Sequence, residues 1–291
     1  MFREIVFSWE WQNQYMMKKF LFILTILLSA GLSAQEYTWK AVKMDASRTG
    51  CITPMTDNIK EAIGEFDGET FVAPNGKRFG KKSATAKTAR HILDAQPAMA
   101  KVKEVVGYAP KMMGKGFPEG ELSNWAIDII MASVQELSGK PVHMGVLNFG
   151  GIRADIPQGD VTLDDMQSIF PFKNHVVYLE IKGSEVRRLL ESMAAGRFQV
   201  LGGVKVVAEN RQLVSAEVGG APIDDDKIYG VATISFLLDG GDGLALEDIS
   251  MSVQNFTEVD VIDAIMEFVR EEKAAGRPLT KELDGRVIVR R

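Results

Sequence analysis

The chain has 291 residues, 46% of them hydrophobic and 25% charged, with a formal net charge of −5. That balance excludes a disordered or fibrous protein, and a mildly acidic chain offers no support for nucleic acid or an anionic membrane surface as its partner. One cysteine, Cys51, cannot make an internal disulfide and reads as a packing residue.

In chain order, Met16-Met17-Lys18-Lys19 followed by the apolar run 20–30 has the charged start and apolar middle of a secretory signal peptide. Small residues follow up to Ala34, so residues 16–34 are expected to be removed by cleavage near Ala34, and residues 1–15 read as an upstream extension from a misplaced start. The expected location is therefore periplasmic or secreted. A stable membrane anchor is the weaker reading, because the apolar run is short for a bilayer span.

Residues 35–104 read as a leading segment. A hairpin is predicted over 70–79 around Pro74-Asn75-Gly76, then a helix over 84–95 that stops before Pro97. The basic cluster Lys77, Arg78, Lys81 and Lys82 is not a P-loop, since Asn75 and Lys82 stand where glycine and Ser or Thr are needed.

From residue 105 the pattern becomes denser. A strand is predicted over 102–108, and a helix over 121–137 from the spacing of Leu122, Trp125, Ala126, Ile129, Ile130 and Leu137, closed by Gly139 and Pro141. The apolar strand 142–147 ends at Asn148 and a glycine pair. Thr162 with Asp165 three residues on predicts a capping box, and Ser184 predicts the cap of a helix through Ala195. Strands follow over 176–181, 203–208, 214–218 and 228–232, then a helix over 258–275 and a last strand near Val287. Strands and helices mixed without a regular βαβ repeat predict an α+β fold of layered mixed sheets and helices.

Three separated stretches carry the chemistry: Asn148-Phe149-Gly150-Gly151-Ile152-Arg153, Phe170-Pro171-Phe172-Lys173-Asn174, and Phe236-Leu237-Leu238-Asp239-Gly240-Gly241-Asp242-Gly243. Two aromatic rings can sandwich a base, a carboxylate can accept from two ribose hydroxyls, and a guanidinium fork suits phosphate. In order and spacing these stretches resemble the C-terminal, substrate-binding domain of the 5'-nucleotidase and UDP-sugar hydrolase family, over roughly residues 105–289.

The resemblance implies that Phe172 and Phe236 stack on a base whose edge Asn174 contacts, that Asp242 binds the ribose, and that Asn148 and Arg153 face the phosphate. Three positions depart from the family pattern: Phe149 replaces a glycine, Pro118 a basic residue, and Leu244 an aromatic one.

The complete enzymes of that family hydrolyse phosphate esters with a dinuclear metal centre in an N-terminal domain. Here His91, His143 and His175 stand isolated, with no Asp-x-His, Gly-Asn-His or His-x-His, so no metal ligands and no catalytic residues are assigned. No cofactor is expected in this chain, and divalent metals are expected only in a partner metallophosphatase. The leading expectation is an exported nucleotide- or nucleoside-recognition half of a nucleotidase. A free-standing nucleoside-binding protein and a purely structural domain are the alternatives.

Overall fold

The computed structural model describes residues 16–19 and 58–290. Cys51, residues 1–15 and all but four residues of the expected signal peptide lie outside the described residues, as does the leading segment before Asn58. Among the described residues no helix is long and apolar enough to cross a membrane.

The leading segment contributes a short helix α1 (Ile59–Ile63) and three small strands, β1 (Glu65–Asp67), β2 (Thr70–Val72) and β3 (Arg78–Phe79), paired antiparallel in that order. Helix α2 (Ala84–Met99) covers them, burying Ala86 and Ala89 against Phe71 in a small apolar cluster of its own. The helix runs past Pro97 rather than stopping before it. In the last turn a proline forfeits one helical hydrogen bond, and there the chain is already turning away through Ala100 N–H to the Pro97 carbonyl.

The remaining elements are β4 (Val105–Ala109), α3 (Glu121–Ser138), β5 (Met144–Leu147), β6 (Gly159–Thr162), α4 (Leu163–Ile169), β7 (His175–Lys182), α5 (Gly183–Ala195), β8 (Val200–Gly202), β9 (Val204–Glu209), β10 (Gln212–Val218), β11 (Ala221–Pro222), β12 (Ile228–Ile234), β13 (Ser250–Asp260), α6 (Val261–Ala274) and β14 (Val287–Arg290). The predicted α+β class holds: helices flank separate sheets of mixed direction.

The central sheet has the order β13-β7-β12-β5-β8. Four consecutive residues of β7, Val176, Val177, Tyr178 and Leu179, are buried, so both faces of that strand are covered. Helix α3 lies on the sheet along β8, β5 and β12, burying Leu122, Trp125, Ile129 and Ile130. Each such side chain contributes about 1.5 to 3 kcal/mol when fully buried. A second sheet, β11-β10-β9-β14, packs against α5, and β4 pairs with β6.

Three local expectations change. Helix α5 starts at Gly183 with Lys182 before it, and Ser184 is already helical. Its first N–H groups are satisfied by backbone instead, Gly183 donating to the Lys227 carbonyl and Ser184 to that of Asp225. Helix α6 starts at Val261, set by a capping box between Asp260 and Asp263, while Glu258 belongs to the eleven-residue strand β13. The strand expected from Val102 begins at Val105.

Candidate functional site

Strand direction explains why the three chemistry-bearing stretches meet. β5 runs parallel to β12, so both finish at the same end of the sheet, delivering Asn148 and Phe236 there. β7 runs antiparallel to β12 and starts at that same end, just after Phe172 and Asn174. The Ser235 hydroxyl accepts a hydrogen bond from His175 N–H (3.1 Å), tying the second stretch to the third.

Asn148 sits at the centre and is only 5% exposed. Its Nδ2 donates to Asp242 Oδ2 at 3.0 Å, joining residues 94 apart in sequence. Its Oδ1 is buried with no hydrogen-bond partner among the described residues, which costs about 1–3 kcal/mol unless a ligand donor meets it. Gly151 leaves room for this side chain: a Cβ there would lie 2.7 Å from that Oδ1, so a larger residue would push the amide aside.

Asp242 has φ 50° and ψ 26°, the left-handed region in which Asp and Asn are the tolerated non-glycine residues. Such a conformation holds the exposed carboxylate over the turn that carries Asn148. Gly241 fixes the loop against Phe236: a Cβ would fall 2.1 Å from the Phe236 carbonyl oxygen and 2.6 Å from its ring.

Phe172 and Phe236 are 48% and 43% exposed, unusual for phenylalanine in a molecule with this much core. They are not in ring contact with each other; Phe172 instead lies under Arg153, whose guanidinium carbon is 5.9 Å from the ring centroid. Arg153 also donates weakly to the Gly150 carbonyl, at 3.4 Å. The Asn174 backbone carbonyl accepts from Val261 N–H (2.8 Å), while its side chain makes no hydrogen bond among the described residues.

A cleft of about 470 Å³ opens beside this group, lined by Gly150, Asp242, Gly243 and Leu244 and by Ser192, Met193, Gly196, Arg197, Gln199 and Phe149. It takes in Asp242 but neither Phe172 nor Phe236, nor Arg153. Arg197 and Gln199 are additions that the sequence did not single out. Both precede β8, which pairs antiparallel with β5 so that Val200 lies beside Leu147 at the same end of the sheet. Gln199 Oε1 accepts from Phe149 N–H at 3.2 Å, bracing the turn.

The described residues do not fit a dinuclear metal centre. No three His, Cys, Asp or Glu side chains among them lie close enough to hold a metal ion. His143 is committed elsewhere: its Nδ1 accepts from Gly230 N–H at 3.0 Å, and burial, helped by the Lys227 charge, pushes its pKa below the ordinary imidazole value.

An α+β domain with amide, carboxylate, guanidinium and exposed rings gathered at one end of a mixed sheet has the equipment of a small-ligand binding domain. The chain belongs to the family described as "5'-nucleotidase, C-terminal domain", whose model matches residues 99–248. Protein UshA of Yersinia enterocolitica is 32% identical over 146 residues, covering 48% of this chain and 26% of that protein. NAD 5'-nucleotidase of Haemophilus influenzae is 34% identical over 146 residues, covering 43% and 24%. The chain thus spans about a quarter of the length of these curated relatives. A 5'-nucleotidase precursor from Thermus thermophilus shares the fold with a TM-score of 0.62 at 24% identity, covering 75% of this chain and 45% of that one.

Proposed function

We propose that this chain is the exported nucleotide-recognition half of a 5'-nucleotidase-type phosphohydrolase in nucleotide catabolism, with the metal-bearing phosphoesterase supplied by a separate chain. The carrying observation is the Asn148–Asp242 hydrogen bond, which gathers the first and third stretches of the motif set into one site. In this reading Asp242 accepts from the ribose hydroxyls and Asn148 Oδ1 finds a ligand donor. Arg153 and Asn148 face the phosphate, while Phe172, Phe236 and Asn174 hold the base. The two rings do not stack on each other, which leaves each free to meet a base.

Divalent metals belong to the partner phosphoesterase in this scheme, since the described residues offer no ligand cluster. In this scheme none of the chain's described residues performs a chemical step. Its work is to bind and orient a nucleotide so that its phosphate faces the partner's metals, which supply the activated water.

Residues 16–34 act as the export signal and residues 105–291 as the recognition domain in this proposal. Phosphate release from AMP tests it: the purified chain should release none, and release should appear when a metallophosphatase chain and divalent metal are added. Phosphate release by the chain alone that is abolished by EDTA would overturn the division of labour.

A further inference from the structure

Arg197 lies outside all three motif stretches, yet it lines the cleft that contains Asp242. Its guanidinium carbon is 5.1 Å from the Phe117 ring centroid and 5.9 Å from that of Phe149, and the two rings are 6.1 Å apart. An arginine laid on aromatic faces keeps its N–H fork available for a planar or tetrahedral oxyanion. No carboxylate lies within ion-pair distance of it among the described residues, although Asp242 borders the same cleft. Arg78, Arg187, Arg188, Arg277 and Arg286, by contrast, are each paired with Asp or Glu.

The position is built rather than accidental. Helix α5 ends at Ala195, Gly196 turns the chain, and the pairing of β8 with β5 brings the following residues beside the Asn148 turn. Phe149, where the family pattern has a glycine, supplies one of the two rings that carry Arg197. Arg153 stands on Phe172 and does not line this cleft.

We propose that Arg197 is a second cation for the ligand's 5'-phosphate, in addition to Arg153, on the Asp242 side of the cleft, and so sets the preference of the site for nucleotide over nucleoside. This rests on the nucleotide reading above. A ribose held by Asp242 would carry its phosphate within the same cleft, where Arg197 is the positive charge without a carboxylate partner among the described residues.

Calorimetric titration of the purified chain with adenosine, guanosine, cytidine, uridine and their 5'-monophosphates tests this. The wild type should bind one nucleoside and bind its monophosphate more tightly. Arg197→Ala should weaken the monophosphate by about tenfold or more while leaving the nucleoside within about twofold, the loss of a charge-assisted fork. Arg197→Lys, which keeps charge without the fork, should recover part of the difference. If the nucleoside binds and Arg197→Ala leaves the monophosphate unchanged, or weakens both ligands equally, this proposal alone falls. If no nucleoside or nucleotide binds the wild type, the nucleotide reading falls and takes this one with it.

Discussion

At the scale of single residues, the site gathers several uncommon features into one place. Phe172 and Phe236 are exposed, Asp242 is left-handed, and Asn148 Oδ1 is buried without a partner among the described residues. Replacing Phe172 by Ala should cost about 1–3 kcal/mol of nucleoside affinity if a base stacks there, read by titration, with little change in thermal stability because the ring packs on so little. Much of this set was legible in the sequence, because glycine runs, an X-Pro-aromatic stretch and a strand-terminal amide are local signals. Arg197 was not. It follows one glycine in an undistinguished stretch, and only the pairing of a three-residue strand, β8, with β5 brings it to the cleft.

At the scale of elements, the predicted capping box of α4 is present in the structure. Thr162 Oγ1 accepts from Asp165 N–H, and Asp165 Oδ2 accepts in return from Thr162 N–H at 2.7 Å. Thr162→Ala should lower the unfolding free energy by about 1 kcal/mol in urea titration, without altering ligand affinity, since α4 contributes nothing to the cleft. Such reciprocal bonds are local and readable from four letters. Strand β13 was illegible for the opposite reason: it is an edge strand paired only with β7, and its Met251 and Val253 face outward, so no apolar alternation points to a core. The start of α5 escaped too, because its first amide protons are satisfied by carbonyls of residues 225 and 227, some forty positions later.

At the scale of the whole molecule, two features contribute to stability beyond the apolar core. Burial depresses the pKa of His143, whose Nδ1 must stay unprotonated to accept from Gly230. Its contribution is therefore present above the unfolded-state value of about 6.5 and is lost as pH falls through the lower folded value. The urea midpoint should drop between pH 7 and pH 5.5, and His143→Gln should flatten that part of the profile. The second feature is Arg286, only 6% exposed and held by Asp128 and Asp284, with Lys281 also on Asp128. Burial opposes its charge, but the two carboxylates outweigh that and hold its pKa above the ordinary guanidinium value. Arg286→Ala should destabilise the fold by about 2–3 kcal/mol, measured by chemical denaturation; the part-exposed carboxylates keep the loss below that of a fully buried pair. Arg286 and Asp128 are 158 positions apart, and β14, which follows at once, adds to β9 in parallel register. On the ribosome, then, α3 emerges long before the residue that neutralises it. Until β14 arrives β9 carries an open edge, so this closure can come only after the long stretch of chain between α3 and Arg286 has been made.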